Sequence, residues 1–254
     1  MTLTLAGEPL MAYLLASLRI VAWLAVVPPF SSRAVPMMAK VVLSLGLAFA
    51  AAPAMAGTTI PVETVPFLVT ALTQVGVGVA MGFVTYLLFA AIATAGSLID
   101  TFGGFALAQG FDPLGMNMNT VFGKFHQMLA TMLLFATGGH LLVIGGLLRT
   151  FDLLPVGEST VLPSLSHVVT TAFGMFFVTA VQIALPMIAV LFVADLGLAL
   201  LTKAAPQLNA INVMFPAKVG LTLLLLGLSF PVLPEAMARM VELANEAMAT
   251  LARS

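Results

Sequence analysis

The chain has 254 residues, 61% of them hydrophobic and only 7% charged, with nine Lys and Arg against ten Asp and Glu for a net charge of −1. An ordinary soluble domain is about one-quarter charged, so this composition excludes a water-soluble monomer and points to a single integral-membrane unit. The balanced charge provides no basic surface for nucleic acid, and the absence of cysteine excludes disulfides, thiolate metal sites and a cysteine nucleophile.

The expected fold is all-α. A first apolar stretch covers residues 9–30, and its first basic residue, Arg19, lies inside the hydrophobic run instead of ahead of it, so the stretch reads as a retained helix and not as a cleaved signal. Charge-free runs follow at 41–62, 64–99, 125–148, 159–194 and 219–234. That makes six stretches, most of them long enough for the ~20 residues of a bilayer span. Proline and glycine mark the gaps: Pro28-Pro29 with Pro36, Pro53 to Pro66, Gly103-Gly104 to Pro113, Pro155 to Pro163 and Pro231 to Pro234. If the six alternate across the membrane, one side carries Arg33, Lys40, Lys124, Lys203 and Lys218 and the other Arg149, Arg239 and Arg253. The positive-inside rule then places the first set in the cytoplasm and both termini outside.

Two features fit an ordinary six-span bundle poorly. As continuous helix the runs 64–99 and 159–194 would each be ~54 Å long against a hydrocarbon core of ~30 Å, so they are expected to break, double back or lie partly in protein. The connection 101–124, TFGGFALAQGFDPLGMNMNTVFGK, has Asp112 as its only charge before Lys124 and carries Phe102, Phe105, Phe111, Met116 and Met118. Irregular backbone is not tolerated in lipid, so such a loop should be buried in protein or line a cavity.

Catalytic signatures such as HExxH, GxxxxGK[ST] and GxSxG are absent. His126 and His140 would stand ~21 Å apart on one straight helix, which favours core or interface histidines over metal ligands. Asp100 and Asp112 bracket the Gly-rich loop, where a cap or turn role is favoured over an aspartyl pair. Arg19 and Asp195 lie in apolar surroundings and need partners; pairing between helices or subunits competes with an ion or proton relay. Asp195 and Lys203, two turns apart, share a helix face without touching directly. Gly78 and Gly82 form a small-xxx-small pair for close helix packing, within the chain or on a partner. At the C-terminus Met237, Val241, Ala244, Met248 and Leu251 make an apolar stripe opposite Glu235, Arg239, Glu242, Glu246 and Arg253, to be covered by a partner subunit or the membrane surface.

Pro29-Phe30 with Arg33-Ala34-Val35-Pro36, the central segment 103–119 with Phe111-Asp112-Pro113, and above all Ala205-Pro206-Gln207-Leu208-Asn209 with Phe215-Pro216-Ala217-Lys218-Val219-Gly220 resemble the flagellar biosynthetic FliR family and its counterpart in virulence-type secretion systems. The resemblance covers essentially the whole chain. It implies a core subunit of the flagellar type III export gate in the bacterial inner membrane at the basal body. FliP- and FliQ-like subunits assemble with it into a pore, and FlhB- and FlhA-like subunits, exported unfolded polypeptides and membrane lipid are further partners. It implies no enzymatic activity and no cofactor. The fold it implies is a bundle of bent helical hairpins packed on neighbouring subunits, a single domain in which residues 1–124 are FliP-like and the C-terminal part of 125–254 is FliQ-like. By the same resemblance the loop 103–119 projects into the channel and plugs it, with Gly103, Gly104, Phe105, Leu107, Gly110, Phe111, Asp112, Pro113, Met116 and Met118 in the plug segment. Arg33, Pro36, Asp195, Lys203, Pro206, Gln207, Leu208, Asn209, Pro216 and Lys218 are the motif and assembly positions. Phe and Met can exclude water from a throat while glycines let the loop move aside. The alternative is a secondary transporter or small-solute channel with a broken-helix site near Asp195.

Overall fold

A computed structural model describes residues 2–55, 60, 63–105, 120–157, 162–205 and 210–253. The described residues form eight α-helices and no strand: α1 (Thr2–Val26), α2 (Met37–Ala50), α3 (Thr64–Gly103), α4 (Val121–Ala136), α5 (Gly139–Leu153), α6 (Leu162–Ala204), α7 (Ala210–Ser229) and α8 (Leu233–Arg253). Short 3-10 turns cover Ala52–Met55 and Phe230–Val232. The all-α expectation holds.

The six apolar stretches do not become six spans among the described residues. The run 41–62 yields only the 14-residue α2 before the chain enters the turn that contains Pro53, where a missing N–H and a fixed φ oppose further α-helix. The run 125–148 is broken at Gly138, whose φ of 71° is the left-handed conformation that ends a helix. Among the described residues, three helices are long and apolar enough to cross a membrane: α1 over Pro9–Val26, α3, and α6 over Val169–Ala204. The number rises to five if the broken pairs α4/α5 and α7/α8 each count as one span. The assignment of loops to sides from six alternating spans therefore loses its premise.

Neither overlong run breaks or doubles back. α3 is one helix of 40 residues and α6 one of 43, even with Pro186 inside it. Their surroundings differ: within an 18-residue apolar window of each, 67% of α3 is buried in the protein, against 28% of α6. The expectation that these runs lie partly in protein holds for α3.

The chain folds into two compact units, one of Met1–Leu88, Gly138–Gly174 and Arg239–Ser254 and the other of Phe89–Thr137 and Met175–Ala238, and α3, α6 and α8 each contribute to both. In the first unit α1 supplies fully buried Leu15, Ala16, Ile20, Trp23 and Leu24. Tyr13 donates its hydroxyl to the Leu45 carbonyl of α2 at 2.8 Å. The Gly78/Gly82 pair faces α1: a Cβ on Gly78 would strike the Arg19 carbonyl, and one on Gly82 would sit 3.0 Å from Val26 Cβ. These glycines therefore serve close packing inside the chain. On α8 the expected stripe Met237, Val241, Ala244, Met248 and Leu251 is buried throughout. The chain itself supplies the cover, in place of the partner or membrane surface expected for it. The second unit has its core at Ala95 and Ile99 of α3, Phe122 of α4, Ala184 and Met187 of α6, and Leu226 of α7.

Candidate functional site

The described flanks of the Gly-rich loop converge in the second unit. α3 ends at Gly103, and Gly104 follows with φ 84°, a conformation glycine adopts without strain. A Cβ on Gly103 would come 2.9 Å from Thr222 Oγ1 of α7, so the end of α3 lies directly on that helix. Phe105 then packs edge-on against Phe122, ring centroids 4.8 Å apart and planes at 80°. Phe122 belongs to the first turn of α4, the described element on the far side of the loop.

Polar groups tie the same two flanks together. Asp100 is fully buried near the end of α3, and its Oδ2 accepts from the backbone N–H groups of Phe122 at 2.8 Å and Gly123 at 3.2 Å. These are first-turn donors of α4 that lack intrahelical partners, so Asp100 caps α4 from another helix, the cap role expected for it. Ser97 and Thr120 share a hydroxyl hydrogen bond of 2.7 Å one turn away. His126 is a core histidine, its Nδ1 2.8 Å from the Phe122 carbonyl. His126 and His140 lie on different helices, α4 and α5, so the spacing expected of one straight helix does not apply.

Behind the loop base stands an ion pair. Lys218 Nζ of α7 lies 2.8 Å from Asp195 Oδ1 and 2.9 Å from Oδ2 on α6, with 15% and 33% of the two side chains exposed. The Lys218 stem passes 4.0 Å from the Cβ position of Gly104. Among the sequence candidates, Gly103, Gly104, Asp195 and Lys218 are thus brought to one place, with Phe105 beside them. Lys203 is exposed near the end of α6 and is not the partner of Asp195. Arg33 and Pro36 are exposed before α2, and Pro216 is exposed within α7. The helix around Asp195 is unbroken, which removes the broken-helix site of the transporter alternative. Leu107, Gly110, Phe111, Asp112, Pro113, Met116 and Met118, and likewise Pro206, Gln207, Leu208 and Asn209, lie outside the described residues.

Arg19 has a structural assignment in the first unit. Fully buried on α1, it donates Nε–H to Gln74 Oε1 of α3 at 2.7 Å and both terminal nitrogens to the Leu154 carbonyl at 3.0 Å. Its guanidinium carbon sits 4.3 Å from the centroid of the Phe151 ring. The Leu154 carbonyl is at the C-terminal end of α5, where the helix dipole is negative. Gln74 continues the network, donating Nε2–H to the Val156 carbonyl at 2.8 Å. The charge is held by dipoles and a π face, a clamp of three segments with no carboxylate within 4 Å among the described residues. Sequence reading found Arg19 and missed Gln74, Phe151 and Thr222. Gln74, an amide inside a charge-free run, was the available signal.

The sequence matches the family described as bacterial export proteins, family 1, over residues 10–244. It is 33% identical to the flagellar biosynthetic protein FliR of Escherichia coli (strain K12) over 174 residues, 68% of this chain and 67% of that protein. Against the FliR of Aquifex aeolicus (strain VF5) the identity is 34%, covering 71% of this chain and 70% of that protein. For Bacillus subtilis (strain 168) it is 26%, covering 72% of each. With its apolar helices, its motif segment on α7 and these similarities together, the chain belongs to the FliR family of bacterial export proteins.

Proposed function

We propose that this chain is a core subunit of the flagellar protein export gate in the bacterial inner membrane at the basal body. There it assembles with FliP- and FliQ-like subunits, near FlhB- and FlhA-like ones, and residues 103–119 plug the channel until an unfolded polypeptide is exported. The role is mechanical and assigns no chemical step to the chain. Its FliP-like part is residues 1–124, and the FliQ-like part lies in the C-terminal portion of 125–254.

The observation that carries this reading is the fixed base of the loop. Phe105 on one flank and Phe122 on the other are in ring contact, the Asp100 carboxylate bridges the same flanks, and α7 lies against Gly103. A gasket must yield at its tip while its roots stay in register, and a base made of three helices with buried hydrogen bonds meets that need. The residues between the flanks include Phe111, Met116 and Met118, whose bulk and adaptability suit a seal against chains of varied sequence.

Deletion of Gly104–Gly115 tests the plug. Ion conductance through membranes containing the assembled complex should rise, and unchanged conductance sinks the assignment. Co-expression with FliP- and FliQ-like subunits followed by native mass measurement tests assembly: recovery of a defined hetero-oligomer is expected, and recovery of the chain alone refutes it.

A further inference from the structure

In the first unit, a cavity of about 580 Å³ opens between α5 and α8, within the ~300–1,000 Å³ typical of ligand sites. Each helix brings one base and one acid to it: Arg149 and Asp152 on α5, Glu246 and Arg253 on α8. In a chain with so few charges, four at one cavity is a concentration. All four are exposed, and among the described residues none is in an ion pair within 4 Å. On the α5 side of the opening, Leu141 and Leu142 are 65% and 61% exposed.

We propose that this cavity binds the head group of a zwitterionic phospholipid with a primary ammonium. Two guanidinium groups can take a phosphodiester, whose oxygens match their forked donors. The two carboxylates are acceptors for an ammonium with three N–H donors. The lining has no net charge, so it matches a ligand whose own charges cancel better than a simple anion. Leu141 and Leu142 supply an apolar rim for the glycerol and the first methylenes, consistent with a chain whose long apolar helices require a bilayer. The small side of α5 makes room: a Cβ on Gly145 meets no atom within 4 Å. This site is separate from the loop base and does not depend on the gate function.

The test is native mass spectrometry of the full-length chain in non-ionic detergent with added phosphatidylethanolamine, phosphatidylglycerol or phosphatidylcholine. Phosphatidylethanolamine should be retained at a concentration at least fivefold lower than the other two. Arg149→Gln with Arg253→Gln should weaken its retention at least tenfold, and Asp152→Asn with Glu246→Gln should erase the preference over phosphatidylglycerol. Gly145→Leu fills the cavity mouth without altering charge, favours the helix, and should block retention. Glycerophosphoethanolamine separates the sources: displacement of bound lipid supports head-group recognition, whereas binding of the free compound without lipid retention overturns a lipid site. Equal retention of all three lipids, tighter phosphatidylglycerol, or retention indifferent to the arginine and Gly145→Leu variants also overturns the proposal.

Discussion

Replacement of Arg19 by methionine tests whether the buried guanidinium is a clamp. The change keeps an unbranched side chain and removes every donor. Gln74 Oε1 and the Leu154 carbonyl then lose their partner in a place closed to water. An unsatisfied buried polar group costs about 1–3 kcal/mol, so the two together cost about 2–6 kcal/mol. Loss of the contact with Phe151 adds about 0.5–2 kcal/mol. Relief of burying a charge acts in the opposite direction by several kcal/mol before relaxation, so a net destabilisation of about 2–4 kcal/mol is expected. Trp23, the sole tryptophan of the chain, is fully buried one turn further along α1 and reports unfolding of this region by fluorescence. Arg19→Lys, which keeps the charge but not the fork, should fall between wild type and Arg19→Met. Adding Gln74→Leu to Arg19→Met removes one stranded acceptor, and the double variant should be at least 1 kcal/mol more stable than the sum of the two single changes implies. Additive effects, or a cost under 0.5 kcal/mol for Arg19→Met, would falsify the clamp and return Arg19 to the list of functional charges.

The other expectations concern packing and the loop base. Gly78→Leu drives a side chain into the Arg19 carbonyl and should cost about 2 kcal/mol or more; Gly76→Leu, two residues away with no atom within 4 Å of its Cβ position, should be neutral or stabilising by thermal unfolding in the same detergent. Equal effects of the two would show that α3 does not approach α1 there. Asp100→Ala strips the acceptor from two first-turn N–H groups of α4 and should lower stability by about 1–3 kcal/mol. Asp100→Asn, which keeps an acceptor oxygen, should recover about half of that, and protection of the Phe122 and Gly123 amides from hydrogen exchange should track it. Lys218→Met leaves Asp195 without its partner and should cost on the order of 1 kcal/mol because both groups are partly exposed. It should also raise ion conductance of the assembled complex if Lys218 holds the loop base. A stability change without any conductance change would confine the pair to packing.

Helix and membrane character were legible because burial in an apolar medium imposes a compositional rule that every residue must obey. The stripe on α8 was legible for the same reason: spacing fixes which face is apolar. What covers that face is a tertiary fact, and the chain's own covering of it could not be read from spacing. The breaks were less legible. Gly138 sits inside a run that hydropathy treats as uniform, yet its positive φ divides that run. Pro186, which sequence rules would place at a boundary, is carried inside α6. At the loop base, Gly103 and Asp100 were visible as turn chemistry, whereas the pairing of Asp195 with Lys218 depends on how α6 meets α7. Spacing along one helix carries no information about that.

α6 shows why composition alone settles less than it suggests. Its apolar part, Val169–Ala204, is 36 residues long, or ~54 Å of helix, and a hydrocarbon core of ~30 Å covers little more than half of it. Modest tilt absorbs only a few ångströms. The chain itself buries only 28% of an 18-residue apolar window of that part, and Phe177, Val181, Leu185, Phe192, Val193 and Leu200 stand exposed along it. Such a length of apolar helix can be hidden neither by this chain nor by lipid alone, because the uncovered remainder would present Phe and Leu to water at about 25 cal/mol for each Å². α3, of nearly equal length, meets less of the difficulty because its own chain buries 67% of an 18-residue apolar window of it. The unburied surplus of α6 is the area that the proposed neighbouring subunits would cover. Charged substitutions there, such as Phe192→Glu or Leu200→Glu, should therefore abolish hetero-oligomer recovery while leaving the Trp23 signal of the isolated chain unchanged, and a complex that assembles normally with both would refute it.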